Sequence, residues 1–275
     1  MKTTRLAPLL LALTAIASQP ASADLRFFMP FVTVASGIGG VSAPGAVPWW
    51  PIGSQYYGDL SGHDVAWSTD GYVSLSAYDG ATYLDGVDGS IRVELDVNPT
   101  AMPQMSWGAW VTPTSNSPIR QVLSHDSGGY DRSLGIDFRG GVSGEYSAFT
   151  GSGVIGDGVV ATTSEKVFLA AVYDNDENSM SMWVNGHKTT ATTNFGTGND
   201  FFLIGANPCC GEHFAGKVTG IFVFDQALTD TQVNGIYTGG YSAVIALANP
   251  VPEPETYALM LAGLGLVGFA ARRKR

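Results

Sequence analysis

Short apolar runs alternate with turn residues along this chain from residue 81 onward. Runs of this length, rich in β-branched and aromatic side chains and bounded by Gly, Asn, Asp or Ser, are typical of strands. We predict strands at Ala81–Asp85, Ser90–Asp96, Met105–Thr112, Gln121–His125, Ser133–Phe138, Tyr146–Thr150, Lys166–Tyr173, Ser179–Val184, Phe201–Ile204 and Lys217–Phe224. One short helix is predicted near Thr229–Tyr237, with Thr229 as its N-cap. The pattern predicts an all-β, antiparallel sandwich or jelly roll.

Composition and charge narrow the class of protein further. With 35 Gly and 14 Pro in 275 residues, the chain has too many turn residues for a helical bundle, and at 45% hydrophobic residues it is too apolar to be disordered. Residues 24–251 carry 22 acidic and 8 basic side chains, a net charge of −14. Such a body is repelled by nucleic acid and by anionic lipid, so nucleic acid is excluded as a partner.

The first 23 residues have the parts of a secretory signal peptide in the usual order. Lys2 and Arg5 precede the apolar stretch Leu6–Ala17, and Ala21-Ser22-Ala23 supplies the small-residue cleavage pattern. We expect export through the inner membrane and a mature chain that begins at Asp24. Residues 24–80 are expected to form an N-terminal segment that is partly joined to the sandwich.

The last 24 residues, 252–275, combine three elements: Pro252-Glu253-Pro254, the apolar run Tyr257–Ala271, and the basic cluster Arg272-Arg273-Lys274-Arg275. As a helix the apolar run would span roughly 22 Å, short of a ~30 Å hydrocarbon core. In this order the three elements resemble the PEP-CTERM sorting signal of exopolysaccharide-producing Gram-negative bacteria. The resemblance implies processing by an integral-membrane exosortase, transient anchoring in the inner membrane by Tyr257–Ala271, and delivery to the cell surface or extracellular matrix. An ordinary single-span anchor is the alternative.

A second resemblance covers about residues 81–238. The segments that carry it are Leu84–Val93, Trp107–Pro113, Val167–Tyr173 with Met180–Gly186, Leu203–Ala206, Phe214–Phe224 and Ala227–Val233. In this order they resemble the strands and closing segment of a laminin-G-like, concanavalin-A-type jelly roll. We therefore expect this domain at residues 81–240, followed by a linker at 241–251 and the sorting segment.

Some jelly rolls of this type are glycoside hydrolases with the motif E-x-D-x-x-E on one strand. Here Glu94 and Asp96 match the first two acids, but Pro99 stands in place of the third. Without it the pair of carboxyl groups that retaining hydrolysis needs is incomplete, so we predict no catalytic residues and no enzyme activity.

The segment 124–132 is the best candidate for a cation site. Asp126 and Asp131, joined by glycines that let carbonyl groups turn inward, could supply oxygen ligands to Ca²⁺. Many laminin-G-like domains hold Ca²⁺ at one rim. The resemblance therefore favours a calcium site in general, but it does not indicate which residues would bind the ion. The alternative is an Asp-rich turn in which Asp131 pairs with Arg132 or Arg139.

Cys209 and Cys210 are the only cysteines. In an exported protein they could close a small ring as a vicinal disulfide, remain as thiols, or form intermolecular bridges. Their loop, taken together with the 126–132 loop, is our candidate binding edge; its predicted ligand-binding residues are His125, Tyr130, Glu212 and His213.

These features predict an exported, non-catalytic surface or matrix protein whose jelly roll binds carbohydrate, exopolysaccharide or a surface protein, with Ca²⁺ as a candidate cofactor. Two alternatives remain at this point. The chain could be a purely structural matrix component without a discrete ligand, or a divergent polysaccharide hydrolase.

Overall fold

The computed structural model describes residues 24–29, 67–76 and 81–248, with the backbone alone for 74–76. The predicted signal peptide and the sorting segment, with Pro252, Glu253, Pro254, Arg272 and Arg273, lie outside the described residues.

Within these residues, fifteen strands and two helices are present. They are β1 (Leu25–Met29), β2 (Trp67–Asp70), β3 (Val73–Ser76), β4 (Ala81–Asp85), β5 (Ser90–Val93), β6 (Gln104–Pro113), β7 (Arg120–Ser124), β8 (Ser133–Asp137), β9 (Glu145–Phe149), β10 (Val154–Val160), β11 (Val167–Asp174), β12 (Ser179–Val184), β13 (His187–Thr192), β14 (Phe202–Ile204), β15 (Ala215–Phe224), α1 (Asp230–Gly239) and α2 (Tyr241–Ala248).

The strands form two antiparallel sheets that pack face to face. Sheet 1 has the order β13-β12-β11-β6-β15-β4-β3. Along one edge of the long strand β15, β4 pairs with the first half and β1 pairs with the second half. Sheet 2 has the order β10-β9-β8-β7-β14-β5-β2. Several neighbours in each sheet are distant in sequence, as expected for a jelly roll.

The core lies between the sheets and is built by alternation along the strands. In β6 the inward side chains include Trp107, Ala109 and Val111, all of which are fully buried. The indole ring of Trp107 makes edge contacts with Tyr173 of sheet 1 at 6.1 Å and with Phe202 of sheet 2 at 5.9 Å between ring centroids. This aromatic group therefore ties the two sheets together at the centre.

The outer face of sheet 1 is also buried, because α1 and α2 pack on it. Trp110, Phe168 and Phe222 form a second apolar cluster there with Val233, Ile236 and Val244 of the helices. Burial on both faces explains why β6 and β11 are almost continuously apolar in sequence. The cap of α1 is as predicted: Thr229 and Gln232 form a reciprocal capping box.

All ten predicted strands are present, eight of them with both ends within one residue of the prediction. The predicted strand Ser90–Asp96 stops at Val93, and β15 begins two residues earlier than expected. The predicted linker at 241–251 is corrected in part, because residues 241–248 form α2. Tyr241 packs edge-on against Trp110 at 5.1 Å between ring centroids, and Val244 is fully buried.

Candidate functional site

Two loops that are far apart in sequence meet on the outer side of sheet 2. The 125–132 loop leaves the end of β7, and the 206–213 loop follows β14. Gly205 has a φ of +88°, and a Cβ at this position would clash with the side chain of Leu84. The chain bends here and folds back at the turn 208–210, where Asn207 bridges to Gly211. Asn207 reaches Ser124 and Asp126 from this turn.

The carboxylates of the 125–132 loop accept hydrogen bonds within the loop. Oδ1 of Asp126 accepts from the backbone N–H groups of Gly128 and Asp131, both at 3.0 Å, and Oδ2 accepts from Nδ2 of Asn207 at 3.1 Å. Oδ2 of Asp131 accepts from the backbone N–H of Ser127 at 3.0 Å and from its hydroxyl at 3.2 Å. Both aspartates are buried, and they brace the loop from inside.

This arrangement fits a calcium ion poorly. Calcium needs carboxylate and carbonyl oxygens that converge on one point, whereas these carboxylates turn toward N–H donors. Ligand atoms of Asp126, Cys209 and Cys210 lie within 4.8 Å of one another, but the two sulfur atoms are bonded to each other and offer no thiolate. The alternative ion pairs of Asp131 are also not formed: Arg132 donates to the carbonyls of Val97 and Met102, and Arg139 pairs elsewhere.

His125 lies behind the loop and is fully buried. Its Nε2 accepts the backbone N–H of Arg132 at 3.1 Å, which leaves Nδ1 as the protonated nitrogen that donates to the carbonyl of Asn199 at 3.2 Å. Burial lowers the pKa of His125 from 6.5 to about 4, in agreement with a neutral ring. His125 therefore stabilises the loop from behind, and a ligand could not contact it.

Arg139 is at the centre of the surface between the loops. Its guanidinium makes two parallel hydrogen bonds to the buried carboxylate of Asp137 and lies 3.0 Å from Oε1 of Glu212. It also lies over the rings of Tyr130 and Phe149, at 5.5 and 5.0 Å from their centroids. These interactions place an aromatic ring, a cation and a carboxylate side by side.

We call Tyr130, Arg139 and Glu212 the rim cluster. All three side chains are partly exposed. Tyr130 and Glu212 have φ values of +56° and +50°, in the left-handed region that residues other than Gly, Asn and Asp rarely adopt. Backbone strain of this kind tends to occur at functional sites, where the surrounding structure holds it in place. Here the backbone N–H of Gln121 donates a hydrogen bond to the carbonyl of Glu212 at 2.8 Å. The backbone N–H of Gly151 donates to the carbonyl of Tyr130, also at 2.8 Å.

The remaining predicted residues lie at the edge of this surface. His213 is partly buried, and its Nδ1 is 3.5 Å from the carbonyl of Gly89, away from the rim cluster. Cys209 and Cys210 are exposed at the tip of the 206–213 loop and are joined as a vicinal disulfide. A Cβ on Gly128 would lie 3.9 Å from Sγ of Cys209, so the disulfide faces the 125–132 loop.

The sequence did not indicate three residues of this site: Asp137, Asn207, and Arg139 in its role as the central cation. Asp137 is the last residue of β8 and Arg139 follows it two positions later, so an acid and a base at this close spacing were an available signal. Nothing in the sequence indicates the role of Asn207, because it depends on the tertiary contact between its loop and Asp126.

The two acids that match the start of the hydrolase motif are engaged in local contacts. Glu94 accepts from Nε of Arg92 at 2.5 Å and from Nη2 at 3.1 Å, and this pairing lowers the pKa of Glu94. A general acid that works near neutral pH needs a raised pKa, so Glu94 is poorly suited to that role. Oδ1 of Asp96 accepts from the backbone N–H and the side-chain amide of Asn98, which hold this carboxylate against its own loop.

Among residues 24–29, 67–76 and 81–248, no helix is both long enough and apolar enough to cross a membrane.

The two packed antiparallel sheets, their strand order and the polar loops at one side define a lectin-type jelly roll. The chain belongs to the concanavalin A-like lectin/glucanases superfamily, whose laminin-G-like family model matches residues 85–234. Residues 250–275 match the PEP-CTERM protein-sorting motif, which indicates an exported protein of the cell surface or extracellular space. No curated protein sequence matches the chain significantly.

Solved structures share the fold at low sequence identity. Domain 4 of AbnA, a GH43 extracellular arabinanase from Geobacillus stearothermophilus solved in complex with arabinotriose, has a TM-score of 0.51 and 16% identity over 77% of this chain and 97% of that domain. The binding domain of botulinum neurotoxin serotype D has a TM-score of 0.52 and 14% identity over 66% of this chain. The receptor binding domain of the C/D mosaic toxin has a TM-score of 0.52 and 15% identity, also over 66%. The match spans 48% of each toxin chain, about half its length.

Proposed function

We propose that the rim cluster is a non-catalytic carbohydrate-binding site on an exported protein of the cell surface or matrix. The observation that carries the proposal is the contact of Tyr130, Arg139 and Glu212 on one partly exposed surface, with strained backbone at two of the three residues. An aromatic ring offers a flat apolar face to the C–H groups of a sugar, while the charged groups beside it hydrogen-bond to hydroxyls.

The structural neighbours support a binding role by analogy of fold. The arabinanase domain was solved with a bound oligosaccharide, and the toxin domains are receptor-binding modules by their names. Their identity to this chain is 14–16%, so they support a binding role for the fold and name no ligand for these residues.

The proposed role is binding and not hydrolysis. Glu94 is held ionised by Arg92, and Pro99 stands where the third acid of the hydrolase motif would be. A retaining mechanism requires one carboxyl group to donate a proton and another to act as nucleophile. The proposed site also needs no cation, because Asp126 and Asp131 are already satisfied by N–H donors.

We further propose that an exosortase processes the chain near Pro252-Glu253-Pro254 and that the body is then held outside the inner membrane by its ligand in the matrix. The support is the sorting motif at residues 250–275, whose apolar run is short for a permanent span. Mass spectrometry of the surface form should find a C-terminus near Pro252; a surface form that retains Arg275 would contradict this processing.

A glycan array probed with the purified protein tests the binding proposal. Tyr130→Asn removes the ring and retains a residue that tolerates positive φ, and Glu212→Gln removes a charge at nearly constant shape. Tyr72→Ala serves as the control, since Tyr72 is a 58% exposed aromatic residue on the loop between β2 and β3. We expect glycan signals for the wild type and the control that both rim variants lose. Signals that survive in both variants would overturn the assignment of the site.

A further inference from the structure

The tip of the 206–213 loop is a tight turn closed by the vicinal disulfide. The backbone N–H of Gly211 donates to the carbonyl of Asn207 at 2.9 Å, and that of Cys210 donates to the same carbonyl at 3.2 Å. The backbone N–H of Cys209 donates to Oδ1 of Asn207 at 3.2 Å. The two cysteines are exposed at the tip, so a small thiol can reach them.

Asn207 couples this turn to the proposed binding surface. While its Oδ1 accepts from Cys209, its Nδ2 donates to Oε2 of Glu212 at 2.9 Å and to Oδ2 of Asp126 at 3.1 Å. Asn207 is 1% exposed, so its amide cannot exchange these partners for water. Oδ1 of Asn207 also accepts from Oγ of Ser124 at 3.4 Å, and Arg139 lies 3.0 Å from Oε1 of Glu212. The N–H of Cys209 is therefore one of several contacts that orient Glu212 through Asn207.

We propose that the Cys209–Cys210 disulfide makes ligand binding at the rim cluster redox-dependent, with the oxidised protein as the binding form. The proposal rests on the function proposed above for this cluster. In the oxidised protein the closed ring fixes the peptide between the two cysteines, whose N–H is that of Cys210 and donates to the carbonyl of Asn207. The ring also restrains Cα of Cys209, whose own N–H donates to Oδ1 of Asn207. Reduction frees this peptide and loosens the turn, so the amide of Asn207 is held by fewer contacts and Glu212 is less firmly fixed beside Arg139.

The chemistry is ordinary thiol–disulfide exchange with a low-molecular-weight dithiol. One thiolate of the dithiol attacks a cysteine sulfur, the S–S bond breaks, and a mixed disulfide forms while the other cysteine leaves as a thiolate. The second thiolate of the dithiol then displaces the first cysteine. The dithiol is oxidised to a cyclic disulfide and gives up two electrons and two protons, and both cysteines end as thiols.

The effect should be local. A disulfide between adjacent cysteines encloses only two residues. It therefore adds little to the stability of the whole fold, in contrast to a disulfide that closes a long loop. The core between the sheets, with Trp107, Tyr173 and Phe202, lies apart from the loop and does not depend on it. Reduction is therefore expected to weaken binding without unfolding the protein.

Titration of a glycan identified on the array, with oxidised and dithiothreitol-reduced protein, measures the predicted effect. We expect reduction to weaken binding by about tenfold, the equivalent of one hydrogen bond to a charged group, and reoxidation to restore it. The Cys209→Ser/Cys210→Ser variant should bind as weakly as the reduced protein and should not respond to dithiothreitol. Equal affinity of the oxidised, reduced and double-serine forms would overturn the redox proposal and leave the proposed function intact.

Hydrogen exchange of the ligand-free protein separates the two proposals further, because it needs no glycan. Reduction should speed exchange at the amides of Asn207 and of residues 209–213, and leave exchange in the strands of both sheets unchanged. If exchange in this loop is the same in both redox states, the coupling is absent, whatever the glycan array shows. If the oxidised protein binds no glycan, the proposed function is wrong, and exchange still decides whether the disulfide orders the loop.

Discussion

Nη2 of Arg139 donates a hydrogen bond to Oδ2 of Asp137 at 2.6 Å, and the Asp137 side chain is completely inaccessible to solvent. A second, parallel bond joins Nε of Arg139 to Oδ1 at 2.9 Å. The hydrogen bond to Asp137 is the main reason why the pKa of Arg139 is raised above its ordinary value. A carboxylate that water cannot reach depends on this guanidinium as its charge partner, so the pair couples the stability of sheet 2 to the binding surface.

Arg139→Ala should therefore destabilise the protein even though Arg139 is partly exposed. The substitution leaves the Asp137 carboxylate buried without its partner, and we expect a loss of roughly 3 kcal/mol in the free energy of unfolding. Chemical denaturation measures it. Arg92→Ala is the matched control, because its pair with Glu94 is exposed and should cost less than about 1 kcal/mol. Equal losses for the two variants would contradict the role of Arg139.

The free energy of unfolding should decrease at acid pH because of His125. Its pKa is about 4 in the folded protein against the ordinary value of 6.5, so the unfolded chain binds a proton between these values that the folded chain does not. The contribution of His125 to stability is therefore complete above about pH 6.5 and is lost as the pH falls to about 4, a change of roughly 3 kcal/mol.

Denaturation curves at several pH values isolate this effect. His125→Gln should flatten the fall in stability between about pH 6.5 and pH 4 relative to the wild type. His187→Gln, at an exposed histidine of β13, is the matched control for the replacement of a histidine by glutamine. A profile of His125→Gln that runs parallel to the wild type would mean that the histidine does not titrate as described.

Calcium should have little influence on stability. The oxygens of Asp126 accept three N–H hydrogen bonds, and Asp126→Ala should lower the melting temperature because these donors lose a charged acceptor. The decrease should be the same in calcium and in chelator. A melting temperature that rises with calcium in the wild type, and not in Asp126→Ala, would restore the calcium site that the sequence suggested.

The capping box stabilises α1, the helix that packs on the outer face of sheet 1. Oγ1 of Thr229 accepts from the backbone N–H of Gln232 at 3.3 Å, and the side chain of Gln232 accepts from the backbone N–H of Thr229 at 2.8 Å. Thr229→Ala should cost about 1 kcal/mol in thermal unfolding, while Thr229→Ser should be nearly neutral. Similar losses for the two substitutions would show that the hydroxyl is not the group that matters.

Much of the fold could be predicted because single segments carry the signal, as alternation in β12 or as a short, nearly continuous apolar run in β6 and β11. Two of the strands that were not predicted, β10 and β13, lack that signal. β10 contains Gly156, Asp157 and Gly158, and β13 is largely polar because it is an edge strand with exposed residues. α2 was taken for a linker because it has only eight residues and no cap that its sequence reveals, and the contact of Tyr241 with Trp110 decides its structure.

The candidate site was less predictable for a physical reason. Tyr130 and Glu212 could be proposed from their loops, but the meeting of the loops depends on the turn at 208–210 and on the amide of Asn207. Arg139 was considered only as a partner for Asp131, whereas it pairs with Asp137 and Glu212. Contacts between residues that are 73 positions apart, as for Arg139 and Glu212, follow from the tertiary fold and not from local pattern.

The central claim is that the surface formed by Tyr130, Arg139 and Glu212 binds carbohydrate. A crystal structure of the protein with an oligosaccharide selected on the glycan array tests it most directly. We predict a sugar ring against the side chain of Tyr130, with hydroxyl groups within hydrogen-bonding distance of Glu212 or Arg139. An oligosaccharide bound elsewhere on the sandwich, with the rim cluster free, would contradict the claim.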